Sequence, residues 1–326
     1  MRNLLANKYL LLLLKICIVV FSLAYIYNRI FLKEDIASVL SYYRGVIQIE
    51  NNKVMLLLVV LLMLFNWSIE SEKWRFLIKK IEKISFLKSL IAIFTGVTVS
   101  IFTPNRIGEY AGRVFFLKKA DRIKAIIITL ISSAGQLLIT AVVGTTCLLP
   151  YMFRLFQNEF YMAWICGTII IVFNVFYLLI FIHTHKLMTV FYKIKRLSKI
   201  KSYLKVMSYY SSRELAAVLL LSALRYLIFT IQFLLLLKIL NVQVPLLLAI
   251  ESVGLIFLSL AIIPTFALAE IGVRGSVAIY FLSRFSSNEL GIMTASFTLW
   301  FINLVVPALL GCVFVFGVKN IRKNSA

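Results

Sequence analysis

Glu109 and Arg113 lie four residues apart in a largely apolar setting, and Glu270 and Arg274 repeat the arrangement later in the chain. On a helix that spacing puts carboxylate and guanidinium on one face. Arg106 precedes the first pair, and Arg225 stands inside another apolar run. A guanidinium presents a planar fork of donors that matches a phosphate. A neighbouring carboxylate can orient that fork or carry a proton. The candidate substrate-binding residues are therefore Arg106, Glu109, Arg113, Arg225, Glu270 and Arg274. The plainer alternative is a set of internal ion pairs, with Arg225 serving Glu251 or Glu270. The chemistry suggested is recognition of an anion rather than bond-making. The sequence offers no Ser/His/Asp set, no metal-ligand cluster and no nucleotide-binding glycine loop, so no catalytic residue, metal or cofactor is expected.

Both stretches carry their own interruption. In 101–119 an apolar run stops at Thr103-Pro104 and is followed by Arg106, Gly108 and Glu109. In 263–275 the break is Pro264-Thr265, followed by Glu270, Gly272 and Arg274. Proline removes a backbone donor and ends or kinks a helix. A new helix after each break presents N–H groups to an anion. Thr103, Pro104, Gly108, Pro264, Thr265 and Gly272 are the expected hinge residues, and Gly108, Gly112, Gly272 and Gly275 permit close helix approach.

The elements that must position these residues follow from composition. The chain has 326 residues, 62% hydrophobic and 15% charged. A soluble domain is nearer half apolar and a quarter charged. Runs of about 20 apolar residues identify a polytopic helical membrane protein, expected to be all-α and a single integral domain over 1–326. The net charge of +22 is read as basic loops facing the cytoplasm and anionic lipid rather than as a nucleic-acid surface. Cys17, Cys147, Cys166 and Cys312 all fall in apolar runs and indicate neither disulfides nor zinc.

Six full spans are expected, near 9–27, 54–69, 123–149, 161–182, 215–237 and 292–318. The first is an uncleaved span rather than a signal peptide. Asn66, Trp67, Glu70 and Trp74 suit the membrane interface, and Lys73 opens a basic cytoplasmic segment. Strongly basic segments on both sides of 87–102 would break the positive-inside bias. A re-entrant hairpin through 87–119 resolves this, and 246–282 forms a second broken pair. Residues 150–160 form a short outside loop, and 186–213 a basic amphipathic segment on the cytoplasmic surface. Each half, about 1–155 and 156–326, then reads span, span, hairpin, span, with opposite starting sides. That is an inverted-topology repeat, with both termini cytoplasmic in a bacterial inner membrane.

The stretch Thr103-Pro104, Arg106, Gly108-Glu109 and the later Pro264, Gly272-Val273-Arg274 resemble the flippase-like membrane domain of lysylphosphatidylglycerol synthases. The likeness spans nearly the whole chain. Where that family commonly has Gly-Gly before and Glu after the Gly-Val-Arg, this chain has Ala269-Glu270 and Gly275. The resemblance implies a stand-alone lipid-translocating domain with re-entrant helices and no aminoacyl transfer.

The expected function is movement of a phospholipid or lipid-linked anionic molecule between leaflets of the inner membrane, with no nucleic-acid partner. Two rivals stay open. One is a headgroup-modifying transferase using Glu109 or Glu270 as base. The other is a structural subunit of an envelope-lipid synthesis complex. A homodimer or a complex with envelope-synthesis proteins remains open as the assembly.

Overall fold

The computed structural model describes residues 41, 44–46, 48–101, 103, 106–117, 120–156, 159–186, 205–264 and 267–323. The described residues form helices and no strand. In chain order these are α1 (Glu50–Ile78), α2 (Phe86–Ile101), α3 (Gly108–Val114), α4 (Arg122–Leu155) and α5 (Phe160–Ile182). Then follow α6 (Ser212–Ile239), α7 (Leu246–Ile262), α8 (Ala267–Leu282), α9 (Glu289–Trp300), a π-helical turn Phe301–Val305, and α10 (Val306–Lys323). Among the described residues five stretches are long and apolar enough to cross a membrane: α1, α4, α5, α6 and the run 289–314. They coincide with five of the six expected spans. The expected span at 9–27, most of the amphipathic segment 186–213, and the hinge residues Pro104 and Thr265 lie outside the described residues.

The helices start where the sequence supplies caps. Ser211 and Glu214 form a reciprocal capping box at α6. Asp121 accepts from the backbone of Ile123 and Lys124 at α4, and Asn288 accepts from Gly291 at α9. Each cap is worth about 1 kcal/mol. The α4 helix does not end at Pro150, where the loop was expected. It runs through that proline to Leu155, and Arg154 pairs with Glu251 of α7.

Hydrogen bonds sort the helix ends into two groups. At one end, Tyr210 Oη donates to the Leu77 carbonyl at 2.8 Å, Lys80 meets Glu214 at 2.7 Å, and Ala120 N donates to Glu82 at 3.0 Å. At the other, Asn52 donates to the Ile239 carbonyl, Asn288 to that of Leu240, and Arg284 to Tyr151 Oη. The chain therefore leaves the first end through α2 and is back there by Ala120. It leaves the second end through α7 and is back there by Asn288. Both excursions are helical hairpins with opposite entry points.

The limbs of the first hairpin touch backbone to backbone. A Cβ on Gly112 would sit 2.6 Å from the Gly96 Cα, and one on Gly108 2.6 Å from the Val99 carbonyl oxygen. No larger residue fits without moving a helix. The long limbs then cross a span each. Gly311 of α10 lies against the Phe94 carbonyl and Thr98 of α2, and Thr98 Oγ1 donates to the Ala308 carbonyl at 2.8 Å. Gly144 of α4 lies in the same way against Gly254 and Leu258 of α7. Between the crossings is a continuous core including Trp74, Ile93, Val97, Phe233, Leu236, Val253 and Ile279. By contrast α5 is apolar all round and mostly exposed, with Trp164, Ile169 and Phe173 facing outward.

Candidate functional site

The two hairpin tips meet. Arg106, at the tip of the first, reaches Glu270 at the start of α8, with Nη2 at 2.8 and 2.6 Å from the two carboxylate oxygens. Arg106 holds a left-handed backbone, φ 56°, which costs a non-glycine residue on the order of 1 kcal/mol. Arg274 binds the same carboxylate from one helical turn away, Nε to Oε1 at 2.9 Å. Glu270 thus takes one guanidinium from each hairpin.

A second cluster is centred on Glu70 of α1. Its Oε1 accepts from Arg113 Nη1 at 2.9 Å, while Oε2 meets Lys73 Nζ at 2.9 Å and also Arg225 Nη1. Arg113 also pairs with Glu109. Arg225 is held on three further sides. Nε donates to Asn66 Oδ1 at 2.8 Å, Nη1 to Gln136 Oε1 at 3.2 Å, and the Trp67 ring lies 5.6 Å away. Lys73 is completely buried and also donates to Ser222. The cluster joins α1, α3, α4 and α6 through charge rather than apolar packing.

Both i, i+4 pairs expected from spacing are formed. All six candidate residues converge on one region, five of them lining a cavity of about 430 Å³ and Glu270 bridging two of those five. Trp67, Glu70, Lys73, Gln136, Trp300 and Asn303 complete most of its polar wall. Asn303 is turned inward by the π-helical turn and donates to Gln232 at 3.2 Å. Such turns recur at functional sites because the extra residue re-aims a side chain. A larger cavity, about 710 Å³, lies between the end of α6 and the start of α7. Among the described residues of its wall Lys238 is the charged one, so the smaller cavity is the site with chemistry.

Several expectations need correcting. Asn66 and Glu70 are not interfacial: both are buried at the centre of the charge cluster. Lys73 is not a cytoplasmic loop residue. Trp74 is fully buried, with Nε1 donating to Thr129 at 3.0 Å, and Trp67 stacks near Arg225 instead of sitting in an interfacial belt. Arg225 partners Glu70 and not Glu251 or Glu270. The missed residues do carry a sequence signal. Val59, Met63, Asn66, Glu70, Lys73 and Leu77 follow a spacing of four, three, four, three and four, all on the buried stripe of α1.

A family model described as the lysylphosphatidylglycerol synthase TM region matches residues 12–311. No curated protein is similar enough to match, and no solved structure is either. With nearly its whole length covered by that model, the chain belongs to the lysylphosphatidylglycerol synthase transmembrane-region family.

Proposed function

We propose that this protein moves a lipid, or a lipid-linked molecule, with an anionic headgroup between the leaflets of a bacterial cytoplasmic membrane. The two hairpins are re-entrant, opening from opposite leaflets in two inverted halves, and the headgroup passes where their tips meet. The observation that carries this reading is the Arg106–Glu270 contact between tips at a cation-lined cavity. Polar broken backbone at membrane depth is tolerated where it lines such a cavity. Substrate sites of transporters are commonly built from two discontinuous helices of this kind.

Orientation follows from charge. Lys79, Lys80, Lys83, Lys88, Arg122, Lys124 and Arg213 cluster at the end where α1 finishes and α6 begins, which the positive-inside bias makes cytoplasmic. Transport is favoured over group transfer because Glu109 and Glu270, the carboxylates a transferase would use as base, are both engaged by guanidinium groups.

The test is reconstitution of the purified chain in liposomes with headgroup-labelled lipids and an impermeant quencher. Faster exposure of inner-leaflet anionic lipid is expected, and Arg274→Ala and Glu270→Gln should slow it at least tenfold. Exposure no faster than in empty liposomes for every anionic lipid tried would refute the proposal.

A further inference from the structure

The charge inventory of the cavity narrows the headgroup. Five cations, Lys73, Arg106, Arg113, Arg225 and Arg274, line it. Three carboxylates, Glu70, Glu109 and Glu270, answer them. Among the described residues two positive charges are left over. Glu251, the acidic residue of α7, lies near the start of that helix and is taken by Arg154 of α4. Uncompensated charge inside a low-dielectric bundle is costly, so an occupant that cancels the excess is strongly favoured.

The hydrogen-bonding inventory points the same way. Trp67 Nε1, Trp300 Nε1 and Arg113 Nε are buried donors of cavity-lining residues without a partner among the described residues. The Asn303 Oδ1 is the corresponding unpartnered acceptor among the described lining residues. A site with surplus donors and surplus positive charge fits a ligand rich in acceptor oxygens. It is poorly suited to an ammonium, which brings donors only.

Resting on the transport reading above, we propose that this cavity takes a lipid with a dianionic phosphate headgroup, as a phosphomonoester or a diphosphate diester. It discriminates against zwitterionic lipids and against the cationic aminoacylated lipid for which the family is named. A phosphomonoester carries a charge of about −1.5 to −2 at neutral pH and cancels the excess. A phosphodiester leaves one positive charge, a zwitterion leaves two, and a lysyl-carrying headgroup adds to them.

Binding is measured on the full chain in nanodiscs of neutral lipid, reading the fluorescence of Trp67 and Trp300 at the cavity wall together with native mass spectrometry. The probes are phosphatidic acid, a polyprenyl monophosphate, phosphatidylglycerol, phosphatidylethanolamine, lysylphosphatidylglycerol and inorganic phosphate. Affinity is expected to fall about tenfold for each headgroup charge removed. The first two probes separate a glycerolipid from a polyprenyl source. Equal or tighter binding of phosphatidylethanolamine or lysylphosphatidylglycerol overturns the proposal. So does inorganic phosphate binding as tightly as the lipids, which marks a free-anion site. Arg106→Gln, at the most exposed of the five cations, should shift preference from the dianion toward phosphatidylglycerol. Asn303→Asp should do the same from the π-helical turn, and an unchanged preference in both overturns the idea. No translocation step enters this measurement. A chain that shows the affinity ladder but moves no lipid refutes only the transport reading. One that moves lipid without the ladder refutes only the headgroup assignment.

Discussion

The two carboxylate centres use the same chemistry to different ends. Glu70 gathers Lys73, Arg113 and Arg225 where all four side chains are at most 8% exposed. Glu270 gathers Arg106 and Arg274, whose side chains are 39% and 21% exposed. The first centre ties three helices together, with Gln136 of a fourth bound to Arg225, and has no solvent to fall back on. The second joins two hairpin tips, and water or a ligand can replace either of its pairs. Desolvation makes one a structural hub and leaves the other open to exchange.

Substitutions can break or sharpen that contrast. The largest effect is expected for Glu70→Gln, which takes from Lys73 and Arg225 the carboxylate they share and leaves Arg113 with Glu109. A loss of about 3–5 kcal/mol should appear as a collapse in folded yield and in the detergent melting temperature. A variant that melts within a degree or two of the parent would dissolve the distinction between the centres. Next is Gly112→Val, which forces α3 away from α2 and moves Arg113 off Glu70. Overpacking of this kind costs about 1–3 kcal/mol, measurable by the same melt. Glu270→Gln should cost less, about 1 kcal/mol or below, because its guanidinium partners reach solvent, yet it should abolish lipid movement. Equal destabilisation by Glu70→Gln and Glu270→Gln would place both centres in one class.

The smallest stability change is expected for Arg106→Gly. Glycine relieves the left-handed backbone by about 1 kcal/mol, which offsets most of the lost ion pair. The melt should stay within about 0.5 kcal/mol of the parent while transport in liposomes is lost. A matched pair tests the crossings outside the clusters. Gly144→Leu and Gly311→Leu meet equivalent positions of α7 and α2 and should lower the melting temperature by similar amounts. One tolerated and one lethal substitution would argue against two equivalent halves.

Much of the site was legible because its chemistry is local. The described helices end at Ile101 and Ile262, shortly before the two prolines the sequence offers, and the Glu109–Arg113 and Glu270–Arg274 pairs follow a four-residue period that any helix imposes. Arg225 stood out as an arginine in an apolar run. Glu70 and Lys73 were misread because Lys79, Lys80 and Lys83 follow closely, and a charge next to a basic run looks like the start of a loop. In the structure α1 continues to Ile78, and its stripe carries both residues into the interior.

The sequence alone determined that this is an all-helical membrane chain broken at two places, because hydropathy, proline and i, i+4 spacing act within a few residues. Only the tertiary structure decided which charges share a carboxylate. Arg113 finds Glu70 across 43 positions, and Arg106 finds Glu270 across 164. The cost of burying a charge selects a partner by distance in space, and no local pattern in the chain encodes that distance.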